Sequence, residues 1–238
     1  MGSALSRLAA GLIDMRLSVI VPVLNEAASI EATLRALLPL RNEGVEVIVV
    51  DGGSSDDTVR HAMPLTDRLV HGQRGRAHQM NAGAAASVGD ILLFLHADTQ
   101  LPEDSWTAIR NGLADSRYVW GRFDVRIAGR PAMLGLIALL INLRSRLSGI
   151  ATGDQAIFVR RDAFHDVGGF PPQPLMEDIE ISRKLKRRSL PLCLRMQATT
   201  SGRRWEKYGV WRTIFLMWSL RLRYWLGAPA EKLARSYR

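Results

Sequence analysis

The chain has 238 residues, 47% apolar and 23% charged, enough for one large domain, or a domain with an appendage, around a sizeable core. Its single cysteine, Cys193, excludes an intramolecular disulfide framework and a cysteine-based zinc site, and suits a reducing compartment. The net charge of +9 is uneven, because residues 183–238 hold 15 Lys/Arg against 2 Asp/Glu and the remainder is net acidic.

The opening "MGSALSRLAAGLIDM" is too broken by charge for a secretory signal. Gly2 and Ser6 match the loose N-myristoylation pattern, which is too undemanding to carry an expectation. The longest apolar stretch, Pro131–Ile141, is about half the length needed to span a bilayer.

In chain order, strand-like and helix-like segments alternate. "RLSVIVPV" (16–23) predicts a buried strand, and in the following "NEAASIEATLRALLPL" Ile30, Leu34, Leu37 and Leu38 fall on one helical face. "VEVIVV" (45–50) is a second strand, running into "DGGSSDDT" and a helix from about Asp56. "DRLVH" (67–71) is a weaker third strand. "GRAHQMNAGAAASV" (75–88) reads as a helix whose small residues suit close packing, and "DILLFLHA" (90–97) as a fourth strand. Strands spaced by helices imply right-handed crossovers and a parallel sheet covered on both faces.

The second half differs. "YVWGRFDVRI" (118–127) alternates like an antiparallel strand with one solvated face. "QAIFVRR" (155–161) is a further strand, "EDIEISRKLKRR" (177–188) a helix, and the tail from Trp205 is helical by composition.

In open parallel sheets, ligands sit beyond the carboxyl ends of the strands. Three strands here end in polar groups: Asn25 and Glu26 after the first, Asp51 and Gly52 after the second, His96 and Asp98 after the fourth. Each is also what a helix cap or tight turn would use. Their joint placement at one edge favours a site, and His96 and Asp98, two apart in an extended segment, would share a face. The position for G-x-G-x-x-G reads "PVLNEAA", and no P-loop is present, which disfavours a nicotinamide dehydrogenase and a P-loop NTPase.

The ordered set "SVIVPVLNEAASI", "VIVVDGGSSDDT", "GRAHQMNAGAAASVGDILLFLHADT" and "MEDIE" resembles the family 2 glycosyltransferases of GT-A fold, over residues 16–206, and most nearly a short, non-processive bacterial subgroup. The resemblance implies a mixed, mostly parallel α/β sheet with helices on both faces, and residues 207–238 would then be a C-terminal helical appendage. It also implies a nucleotide-sugar donor, usually a UDP-sugar, and a divalent metal, Mg²⁺ or Mn²⁺. Carried over by position, Pro22, Asn25 and Glu26 lie along the nucleoside, Asp51 with Gly52 at the uracil edge, and Arg76 at the base or diphosphate. Asp98 is the metal-binding carboxylate of the family's D-x-D motif. His96 stands where that motif begins with Asp. It would touch the ribose, shift metal preference toward Mn²⁺, or only satisfy a backbone carbonyl.

In inverting members of the family, the Asp of an E-D pair is the general base, which places Asp178 in that role with Glu177 beside it as acceptor ligand. A helix start rich in acidic residues is the plain alternative. Asp154 is an acceptor-side or turn residue. "SGRRW" resembles the end of the Q-x-x-R-W motif of processive synthases, but Ser201 replaces Gln, so only Arg204 and Trp205 match and single-sugar transfer is expected.

The tail concentrates four of the six Trp between 205 and 225, among arginines. Interfacial helices have this composition, as does a helix packed on its own domain or on a second copy. Pro131–Ile141 would add another surface-seeking segment. No nucleic-acid fold is legible, so no nucleic-acid partner is expected. The expectation is a cytoplasmic inverting glycosyltransferase, with association at the inner face of the membrane left open, moving one hexose to an acceptor that is open and includes lipid-linked ones. A nucleotidyltransferase on a related fold, or a non-catalytic nucleotide-binding peripheral membrane protein, is the alternative.

Overall fold

The computed structural model describes residues 15–237, so the myristoylation pattern at Gly2 and Ser6 lies outside the described residues. In chain order it forms β1 (Leu17–Val23), α1 (Ile30–Ala36), α2 (Leu38–Asn42), β2 (Glu46–Asp51), α3 (Thr58–Ala62), β3 (Arg68–His71), α4 (Arg76–Ala86) and β4 (Ile91–Phe94). There follow β5 (Thr99–Gln100), α5 (Ser105–Ala114), β6 (Trp120–Ala128), α6 (Leu134–Ser148), β7 (Phe158–Arg160), α7 (Arg161–Asp166) and α8 (Glu177–Lys186). The chain closes with β8 (Leu192–Ser201), α9 (Arg203–Tyr208), α10 (Val210–Trp225) and α11 (Ala230–Tyr237).

All eight strands form one sheet in the order β3-β2-β1-β4-β7-β6-β8-β5. The first four are mutually parallel, as the alternation of apolar strands and helices requires. β7 runs antiparallel to both β4 and β6 and joins that half to the rest, where β8 is parallel to β6. Alternate residues of β1 enter opposite layers, as a strand buried on both faces must. Val19 and Val21 pack with Ile30, Leu34 and Ile109 on one side, whereas Ile20 packs with Met80, Phe94 and Leu185 on the other. Gly83 of α4 shows why that helix is rich in small residues: a Cβ there would lie 2.4 Å from Ile20 Cγ2.

Two details depart from the sequence expectation. β6 is buried on both faces through Phe123 and alternates only from Asp124 onward; its pairing with β7 is short and its main partner is parallel. That partner, β8, is a strand that its own sequence, "LCLRMQATTS", does not announce.

The tail helices pack by one face. Val210 and Ile214 of α10 join Val125, Ile127 and Ile137, and its Leu216 and Leu220 join Leu175, Ile179 and Leu233 of α11.

Candidate active site

The ends of β1 and β2 are tied together before any ligand is considered. Gln79 of α4, buried beneath them, donates from Nε2 to the carbonyls of Val23 (2.7 Å) and Val50 (2.8 Å). A Cβ on Gly52 would stand 3.0 Å from that amide. Pro22 lies past the last β1–β4 pair, Ile20 with Phe94, where the N–H it lacks is not called on. Asn25, at φ 55°, accepts from the Ser55 amide at 2.8 Å, and the Glu26 amide donates to Thr58 Oγ1 at 2.7 Å.

Asp51 is buried, and its carboxylate accepts from the amides of Gly53 (3.1 Å) and Ser54 (3.0 Å), with His71 Nδ1 3.6 Å away. Its observed partners are therefore its own turn. A carboxylate has further lone pairs for a base edge, but the turn is what holds it in place.

Beyond this edge, Glu26 and Asp98 converge. One nitrogen of Arg203, Nη2, is 3.2 Å from Glu26 Oε2 and 3.2 Å from Asp98 Oδ2. Arg203 opens α9, across the sheet in sequence from both acids. It is a site residue that the sequence reading missed, although the doublet Arg203-Arg204 carries the signal. Arg204 itself turns away: its guanidinium stacks on Tyr237, 3.8 Å from the ring centre, and donates to the Tyr237 carbonyl at 3.0 Å. Trp205 packs beside Ile137 and Val125. Arg204 and Trp205, expected on the acceptor side, thus both pack with the tail.

His96 and Asp98 have different partners. β4 stops at Phe94, and the chain turns so that the Thr99 amide donates to the His96 carbonyl at 3.0 Å. The two-residue spacing that would align His96 with Asp98 in a strand therefore fails here. Asp98 meets Arg203, while His96 Nδ1 lies 3.2 Å from Asp154 Oδ1. Among the described residues no set of three or more His, Cys, Asp or Glu side chains is gathered as metal ligands.

His96 instead belongs to the second cluster. Its imidazole presses on Gly153, where a Cβ would fall 2.3 Å from Nε2. The Gly153 amide in turn donates to Asp178 Oδ2 at 3.0 Å, so one short turn touches the imidazole and the expected base together. His96, Gly153, Glu177 and Asp178 line a pocket with Met80, Phe94, Ile157 and Phe170. Arg76 Nη1 stands 3.7 Å from Glu177 Oε1, so Arg76 meets the acid pair rather than the β1–β2 edge.

Burial and the adjacent Asp178 charge push the Glu177 carboxyl above its ordinary value, with Arg76 opposing. Partial burial works against ionisation of Asp154, yet the hydrogen bond and charge of His96, then Arg76 and Arg221, hold its carboxyl below the ordinary value. Three of the four non-glycine residues at positive φ adjoin this machinery: Asn25 before Glu26, Ala156 two after Asp154, and Met176 before Glu177. Such backbone costs energy and persists where surrounding structure enforces it.

A family model described as Glycosyl transferase family 2 matches residues 18–169, spanning β1 to α7 and including Glu26, Asp51 and Asp98. The chain belongs to glycosyltransferase family 2. It is a glycosyltransferase of GT-A fold, and the nucleotidyltransferase alternative falls away.

Poly-beta-1,6-N-acetyl-D-glucosamine synthase of Staphylococcus aureus is 28% identical over 211 residues, covering 79% of this chain and 51% of that protein. The Staphylococcus epidermidis enzyme is 24% identical, covering 82% and 53%. The chain therefore spans about half the length of the curated relatives it matches.

Among solved structures, glucosyl-3-phosphoglycerate synthase from Mycobacterium tuberculosis, in complex with Mn²⁺, UDP and glucosyl-3-phosphoglycerate, superposes with a TM-score of 0.60 at 23% identity, over 84% of this chain and 76% of that one. TarS of S. aureus with UDP-GlcNAc gives 0.62 at 19% identity, over 79% and 58%. A mannosyltransferase from Pyrobaculum calidifontis with GDP-Man and Mn²⁺ gives 0.58 at 20%, over 83% and 64%. These likenesses establish the fold.

Proposed function

We propose that this glycosyltransferase is inverting and metal-dependent, and that it moves a single hexose from a UDP-sugar to an acceptor hydroxyl. The observation that carries this reading is a pair of carboxylate stations at one sheet edge. Glu26 and Asp98 gather on a cation, and Glu177 with Asp178 lines the pocket beside His96.

The donor station suits a metal that shares its ligand shell with a diphosphate. Its two carboxylates already hold a positive group, and a hard cation takes oxygen ligands, most of which the phosphates would supply. Such an ion, when bound, would neutralise charge on the departing diphosphate. Arg203, with its other guanidinium nitrogens, offers the same phosphates further hydrogen bonds.

On the acceptor side, Asp178 takes the hydroxyl proton as the oxygen attacks the anomeric carbon opposite the nucleotide, and the diphosphate leaves with the bonding electrons. Each Asp178 oxygen accepts one amide, from Gly153 (3.0 Å) and from Ile179 (2.8 Å), which fixes the carboxylate and leaves lone pairs for the proton. His96, buttressed by Asp154, lies between the stations as a hydrogen-bonding group for the sugar. Transfer of one residue at a time fits Ser201 in place of Gln and the engagement of Arg204 with Tyr237.

The test is calorimetric titration of UDP, with GDP as control, with and without Mn²⁺. UDP binding that requires the metal supports the donor station as described. Equal binding of GDP would reassign the nucleotide, and binding of neither would remove the proposal.

A further inference from the structure

Helices α6 and α10 both pack on the apolar cluster around Val125 and Ile127 of β6. Met133, Ile137 and Ile141 of the α6 region pack on the same cluster as Val210 and Ile214 of α10. Burial, with the charge of Arg221 of α10 adding to it, pulls the pKa of the Arg144 guanidinium of α6 down to about 10, and Asp178 acts the other way.

What these contacts leave uncovered is a long apolar stripe on each helix. On α6, Leu136, Leu139, Leu140, Leu143 and Leu147 are 50–79% exposed. On α10, Trp211, Phe215, Trp218, Leu222 and Trp225 are 57–71% exposed, and their spacing of four, three, four and three residues puts them on one face. Scattered exposed leucines are ordinary, but five large apolar side chains along one face of each of two helices are not. The inward faces are already used by Ile137 and Ala138 on α6 and by Leu220 on α10, so neither stripe is spare core.

The charges on these segments have one sign. Residues 130–149 contain three Arg and no Asp or Glu, and residues 207–230 contain four Lys/Arg and no Asp or Glu. We infer that α6 and α10 together form a docking face for an anionic lipid bilayer, lying in the headgroup region with the leucine and tryptophan stripes toward the acyl chains. Tryptophan at the boundary and arginine among headgroups are what such a face requires. No described helix is long and apolar enough to cross a membrane, which agrees with a helix pair lying in the interface. On α6, Arg144 is largely buried and Arg146 pairs with Asp124 at 2.6 Å, so the charge of the face comes chiefly from Arg212, Arg221 and Arg223 of α10. A second copy of the chain is the poorer occupant, because a two-fold contact through α10 would set those arginines against one another with no acid on that helix to pair with them. The inference stands apart from the proposed donor and metal, and one link joins the two. Tyr224 of α10 has Arg183 of α8 5.5 Å from its ring centre, so the docking face rests on the helix that carries Glu177 and Asp178.

The test is co-sedimentation of the full chain with phosphatidylcholine vesicles, with and without about 30% phosphatidylglycerol, at about 0.1 M and 0.5 M salt. Binding at least about tenfold tighter to the anionic vesicles at low salt is expected, with tryptophan emission quenched by lipids brominated on the acyl chains. Replacing Trp211, Trp218 and Trp225 together by Ser should abolish the quenching and weaken binding about tenfold or more, while UDP affinity is kept. Arg212→Glu, which leaves both stripes intact, should reduce the preference for anionic vesicles. No binding to either vesicle overturns the inference. So does binding without acyl-chain quenching, or a concentration-dependent dimer that the triple substitution dissociates while vesicles leave it unaffected. Retained UDP binding in those cases leaves the proposed function standing.

Discussion

Arg203 Nη2 lies 3.2 Å from Asp98 Oδ2 and at the same distance from Glu26 Oε2. One guanidinium thus satisfies both acids at this edge, and the proposed metal–diphosphate would either displace it or share with it. Arg203→Ala should weaken UDP on the order of tenfold in the presence of Mn²⁺, the loss of one charge-assisted contact. In the absence of nucleotide the same variant should bind Mn²⁺ more tightly, since the competing cation is gone. Spin resonance of free Mn²⁺ reads the second effect, and an unchanged UDP affinity would make Arg203 a structural strut only.

Asp178→Asn keeps an oxygen for the Gly153 amide but has no basic carboxylate. Transfer should fall about 10²- to 10⁴-fold while UDP affinity stays within about twofold. Single-turnover kinetics beside calorimetry separate the two, and parallel loss of both would make Asp178 structural.

Gly153 owes its identity to His96, not to its backbone, since a Cβ there would lie 2.3 Å from Nε2. Gly153→Ala should destabilise the fold by about 1–3 kcal/mol, as overpacking does, and displace the imidazole from Asp154. Urea unfolding measures the first, and the shifted His96 resonances report the second. Wild-type stability with normal His96 resonances would show that the turn yields freely.

Glu177 titrates higher in the folded protein than its unfolded value of about 4.3. Between those two values the folded state binds the extra proton, so stability falls as pH rises through that window and stays reduced above it. Glu177→Gln removes the buried charge. The variant should gain thermal stability relative to wild type at pH 8, and the gain should shrink toward pH 4. A gain independent of pH would mean that packing, and not charge, is responsible.

Much of the donor half was legible because its strands are continuous apolar runs and its crossovers are local. β1, β2 and β4 need no partner to be recognised, and their polar ends fall together once the sheet is parallel. β8 was not legible: "LCLRMQATTS" is only partly buried and follows a basic run, and it becomes a strand through its pairing with β6. The separate partners of His96 and Asp98 were not legible, because a face shared at two-residue spacing holds only while the strand continues, and this one ends at Phe94. The choice between Arg203 and Arg204 depended on where α9 begins, a matter of one residue at Gly202 that spacing does not fix.

The antiparallel β7 has a consequence for how the protein is made. β4 is paired on one side by β1 as soon as it is synthesised, but its other edge waits for Phe158, roughly 60 residues later. At synthesis rates of about 5–20 residues per second, that is roughly 3–12 s during which a fully apolar strand offers an open edge on the ribosome. Nascent chains halted just before β7 should therefore be held by chaperones or aggregate, whereas those halted just after it have that edge closed.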